Sequence, residues 1–60
     1  MYVTDGKRIR KIHVCADSMN YKYAYIWTGL FKRISAWSYY SDPVKNLLKI
    51  IEPMGWKLVD

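Results

Sequence analysis

The chain predicts an α+β fold: a small antiparallel β-meander with one C-terminal helix packed on one face and a short strand at the end. Three observations carry that prediction. Residues Tyr21 to Trp27 alternate large aromatic side chains with Lys22, Ala24 and Ile26, the period-two pattern of a strand. Asp42-Pro43 opens a run in which Val44, Leu47, Leu48 and Ile51 recur at i, i+3, i+4 and i+7, the apolar stripe of a helix. Short turn signals, Asp5-Gly6 and Thr28-Gly29, separate the extended stretches, so successive strands are expected to pair antiparallel.

Taken in order, Met1 to Thr4 reads as a short edge strand and Asp5-Gly6 as a two-residue hairpin turn, since both residues tolerate positive φ. Lys7 to Asp17 returns as the partner strand, with Ile12, Val14 and Ala16 on one face and Lys7, Ile9, Lys11, His13 and Cys15 on the other. A helix competes for this stretch, because Ile9, Ile12, Ala16 and Met19 also fit helical spacing. If 7–19 were helical, the fold would become a compact βαββαβ of ferredoxin-like type. The β-branched Ile9, Ile12 and Val14 favour the strand.

Ser18-Met19-Asn20 reads as a turn, and Leu30 to Tyr40 as a third long strand, with a helix as its competitor because Leu30, Ile34 and Trp37 also lie on one helical stripe. The helix is expected over about 43–52. Asp42 caps it and Pro43, which has no N–H to leave unbonded, takes its first position; Lys45, Asn46 and Lys49 face water. Pro53 ends it, Gly55 permits the reversal, and Trp56 to Val59 forms the last strand. Without repeats, linkers or low-complexity segments, 1–60 reads as a single domain.

The helix must bury its stripe on one face of the sheet. Ile12, Val14, Ala16, Ala24, Ile26, Ile34 and Ala36 are small or medium aliphatics that allow a helix to approach closely, and they are the expected core. The opposite face then gathers Lys11, His13, Tyr21, Tyr23, Tyr25, Trp27, Phe31, Arg33, Trp37 and Tyr39, an aromatic and basic surface at or above the size a monomer ordinarily leaves bare. In the competing arrangement the aromatics are the core and the Ala24 side is open; strand register decides between the two, and periodicity does not fix register.

Ten Lys and Arg against five Asp and Glu give a net charge of +5, which favours polyanionic partners. The lone Cys15 rules out an internal disulfide and points to a reducing compartment. No apolar run approaches the roughly 20 residues that span a bilayer, and the first residues lack the pattern of a secretory signal. A cytoplasmic location without a membrane partner is expected.

Catalytic chemistry finds little support. His13 and Cys15 share a strand face, but two ligands are too few for a structural zinc site and neither a second His nor a second Cys exists. As a nucleophile Cys15 would need an activating and an orienting group. The acids are scattered, and no phosphate-binding glycine loop is present. No cofactor, no metal and no enzymatic activity are expected.

Stacked aromatics beside Lys and Arg are instead the physical design for single-stranded nucleic acid, with bases on rings and phosphates on cations. Tyr23-Ala24-Tyr25-Ile26 fits the middle of the RNA-recognition octamer. However, Lys22 replaces that octamer's glycine and Thr28 its final aromatic, so no family is assigned. The expected function is a small basic, non-enzymatic module that binds single-stranded nucleic acid or RNA through Lys11, Tyr21, Tyr23, Tyr25, Trp27, Arg33, Trp37 and Tyr39. Lys7, Arg8 and Arg10 form a secondary basic strip. Two rival functions use the same residues: a protein-binding regulator or inhibitor, of phage or toxin-antitoxin type, with Tyr and Trp anchors on an acidic protein surface, and a subunit of an obligate homodimer.

Overall fold

A computed structural model describes residues 1–16, 21–39 and 41–59. The strands are β1 (Tyr2–Thr4), β2 (Ile9–Lys11), β3 (His13–Ala16), β4 (Tyr21–Trp27), β5 (Arg33–Tyr39) and β6 (Lys57–Val59). The helix α1 covers Pro43–Ile51 and runs into a 3-10 turn, Glu52–Met54. The expected α+β fold with one C-terminal helix is what forms. Its strands divide into two antiparallel three-stranded sheets, ordered β2-β1-β6 and β3-β4-β5.

The division falls at Ile12. This buried residue separates β2 from β3, and its N–H donates to the Met1 carbonyl at 2.9 Å. One extended segment thus serves the first sheet with Ile9–Lys11 and the second with His13–Ala16. The helical alternative for 7–19 is not adopted over its described part, where Ile9–Lys11 pairs with β1 and His13–Ala16 with β4. Asp17, the Ser18-Met19-Asn20 turn and Tyr40 lie outside the described residues.

Both turns are longer than expected. Thr4 stands opposite Ile9, which leaves Asp5–Arg8 as a loop of four residues. Its shape is set by the Asp5 carboxylate, whose Oδ1 accepts from the Lys7 and Arg8 N–H groups at 2.9 and 2.8 Å, while Gly6 supplies the positive φ of 96°. The second loop, 28–32, is closed by the Thr28 N–H on the Lys32 carbonyl at 2.9 Å. Leu30 and Phe31 therefore belong to a loop, and β5 starts at Arg33.

The helix begins as its sequence dictates. Asp42 accepts from the Val44 N–H at 3.0 Å and Pro43 follows as the first helical residue. Past the 3-10 turn, Gly55 takes φ 98° and the Trp56 N–H returns to the Ile51 carbonyl at 3.2 Å. That reversal tucks the Trp56 ring into the core.

α1 lies across β4 and β5. Ala24 and Ala36 oppose each other in the ladder and both are buried, so the helix meets a floor without bulk. Ile12, Ile26, Val44, Leu47 and Ile51 fill the space, joined by Val3 and Trp56, with Ile34 and Leu48 at the margin. Each fully buried aliphatic contributes roughly 1.5–3 kcal/mol. The expected core needs one correction: Val14 is 52% exposed and Ala16 is also exposed, because the helix covers β4 and β5 and leaves β3 outside its footprint. No helix among the described residues is long and apolar enough to cross a membrane.

Candidate binding face

On the side of β3-β4-β5 away from α1, strand alternation projects His13 and Cys15 from β3, Tyr21, Tyr23, Tyr25 and Trp27 from β4, and Arg33, Ser35, Trp37 and Tyr39 from β5. The register sets them in rungs: Cys15, Tyr23 and Trp37 in one, and His13, Tyr25 and Ser35 in the next. Tyr21 opposes Tyr39, and Trp27 opposes Arg33.

These rungs bring six rings into one continuous run. His13 stacks on Tyr25 at 5.0 Å between centroids, and Tyr25 on Tyr23 at 6.0 Å. Tyr23 meets Trp37 at 4.7 Å, Trp37 stacks on Tyr21 at 4.7 Å, and Tyr21 on Tyr39 at 4.4 Å. Such pairs add about 0.5–1.5 kcal/mol each beyond burial, so the run is a preorganised surface. Tyr21, Tyr23 and Tyr25 are half-buried, whereas Trp27, Trp37 and Tyr39 are 42%, 48% and 65% exposed.

Ser35 is the small member of its rung. Beside it the Arg33 guanidinium folds over the Tyr25 ring at 5.1 Å and the Trp27 ring at 5.7 Å. The Cys15 thiol, next to Tyr23 across the ladder, pushes the Tyr23 phenol above its ordinary pKa, and partial burial adds to the shift. His13 and Cys15 have no third His, Cys, Asp or Glu beside them among the described residues. The described residues enclose no pocket, so the candidate site is an open surface.

Seven of the residues expected at the site share this face: Tyr21, Tyr23, Tyr25, Trp27, Arg33, Trp37 and Tyr39. Lys11 stands apart. It is exposed on β2, opposite Tyr2 in the other sheet, because the chain changes sheets at Ile12. Phe31 is off the face in the loop. Ser35 is a further member: alternation with Arg33 and Trp37 puts it on this face, and the β4–β5 register sets it opposite Tyr25.

The basic strip is not a uniform surface. Arg8 pairs with Asp5 at 3.0 Å, donates to the Thr28 carbonyl, and holds its guanidinium 5.4 Å from the Trp56 ring centre. Arg10 donates from Nε to the Trp27 carbonyl at 3.1 Å. Both arginines tie the first sheet to the end of β4, and Lys7 is left exposed beside them.

Compared with protein families, curated proteins and solved structures, the chain matches none.

Proposed function

We propose that the protein is a non-enzymatic module that binds single-stranded nucleic acid or RNA on the aromatic face of β3-β4-β5. The observation that carries this reading is the run of rings from His13 to Tyr39, lying on the side of the sheet opposite α1 and met by Arg33 near one end. Interior rings already stack on their neighbours, so they form a firm floor. Bases pack on the exposed Trp27 and on Tyr39 at the end of the run, while Arg33 and the surrounding excess of positive charge meet phosphates. A lone cysteine accords with a reducing, cytoplasmic setting.

The test is fluorescence anisotropy with a labelled, mixed-sequence oligonucleotide of about 12 nucleotides, as DNA and as RNA, in the range of single-strand site sizes. Affinity should fall steeply between about 50 and 200 mM salt. Absence of binding at low salt sinks the proposal.

One observation favours a second reading. Tyr23 stacks on Tyr25, and Tyr21 on Trp37 and Tyr39, so these ring faces are already engaged, and Tyr, Trp and Arg together are the residues that anchor protein interfaces. A protein partner, or a second copy of the chain on the same face, would bind with little salt dependence.

A further inference from the structure

Among the described residues the two most exposed large apolar side chains are neighbours: Leu30 at 91% and Phe31 at 94%, on the loop that joins β4 to β5. Neither contributes to the core. Their surroundings are cationic. Lys32 and Arg33 follow directly, and the loop carrying Lys7 is fastened to this end by Arg8 on the Thr28 carbonyl. Lys57 stands opposite Thr4, where β1 enters that loop. Asp5 is already bound by Arg8 and by two backbone N–H groups. Of the other described carboxylates, Asp42 caps the start of α1 and Glu52 follows its last turn.

We propose that the Leu30–Phe31 tip is an apolar wedge that enters between successive bases of a single strand, while the surrounding lysines hold the flanking phosphates. This rests on the nucleic-acid reading of the aromatic face and adds a second contact to it. Two features select that occupant. The cationic collar favours a polyanion over a neutral apolar pocket. The tip also continues the face, since Trp27 and Arg33, its last rung, are the residues from which the loop departs. A strand lying on the rings therefore reaches the tip as it leaves. There Phe31 offers a stacking surface and Leu30 fills the opened step, as apolar wedges do when they part stacked bases.

The experiment uses the full chain and the same labelled oligonucleotide, titrated at several salt concentrations. The double variant Leu30→Ser/Phe31→Ser should melt with the wild type, because both side chains are bare. Its affinity should drop about five- to two-hundredfold at every salt concentration, the range for losing one stacking contact. Its salt slope should not change, since the lost contact is uncharged. Lys7→Ala and Lys32→Ala should each flatten the slope by about 0.7. If the wild type binds, Trp37→Ala weakens binding and the double variant binds normally, the wedge is overturned and the face stands. If the wild type binds no oligonucleotide, both fall. Loss of sedimentation with phosphatidylserine vesicles in the double variant, with oligonucleotide affinity intact, would assign the tip to a lipid surface and overturn the wedge.

Discussion

The Arg10 guanidinium reaches from the centre of β2 to the Trp27 carbonyl at the end of β4, 3.1 Å from Nε to oxygen. It joins two sheets that share one continuous segment of chain. Arg10→Ala should cost about 1–2 kcal/mol, the worth of a charge-assisted hydrogen bond that is partly shielded. In a domain this small that lowers the melting temperature by about 4–8 °C per kcal/mol. Lys11→Ala, one residue on and exposed, should stay within about 0.5 kcal/mol. Thermal melts followed by circular dichroism compare the two, and equal effects would contradict the link.

The helix stripe is uneven. Leu47 is fully buried and Leu48 lies at the edge of the core. Leu47→Ala should cost about 2–5 kcal/mol and unfolds the protein if stability is at the low end for small domains. Leu48→Ala should cost less, and Lys49→Ala almost nothing. Urea titrations rank the three, and a larger loss for Leu48 than for Leu47 would place the helix rotation wrongly.

Tyr25 touches His13, Tyr23 and Arg33 but is only half-buried. Tyr25→Ala breaks the run of rings between its first and third members. Its two ring pairs contribute about 0.5–1.5 kcal/mol each, so the fold should survive with a loss near 1–3 kcal/mol. Oligonucleotide affinity should fall about five- to two-hundredfold. A fold that collapses instead would make Tyr25 a core residue and remove the reason for a binding face.

Asp5 gives the β1–β2 loop a defined acid sensitivity. The Arg8 N–H, then the Lys7 N–H and the Arg8 side chain, lower its pKa from 3.8 to about 2. Because the folded value lies below the unfolded one, the carboxylate stabilises the fold above about pH 3.8 and loses that contribution as pH falls toward 2. Asp5→Asn should therefore melt below the wild type at neutral pH, and the gap should close on acidification. A gap independent of pH would separate the loop's stability from this ionisation.

Cys15 lies beside Tyr23 without a role in the proposed contacts. Cys15→Ala should leave oligonucleotide affinity within twofold of the wild type, about 0.4 kcal/mol. A folded variant that loses binding would assign the thiol a part in the site.

Local chemistry determined much of this molecule. Asp42 and Pro43 start the helix and Gly55 turns the chain because caps, fixed φ and positive φ are properties of a few adjacent residues. The alternation of Tyr21 to Trp27 put four aromatics on one side of β4, and the small Ala24 and Ala36 marked the side a helix can approach. Tertiary structure decided what depends on partners distant in sequence. The change of sheet at Ile12 removed Lys11 from the aromatic face, and the limited reach of one nine-residue helix left Val14 and Ala16 outside the core. Register, set by pairing across strands, put the small Ser35 opposite Tyr25, the ring that the Arg33 guanidinium covers. The Asp5 carboxylate lengthened the first loop, and the Thr28–Lys32 closure put Leu30 and Phe31 on a loop, where a period-two pattern had placed a strand. A sequence pattern records which side of its own strand a residue takes, and only the packed chain fixes what stands opposite it.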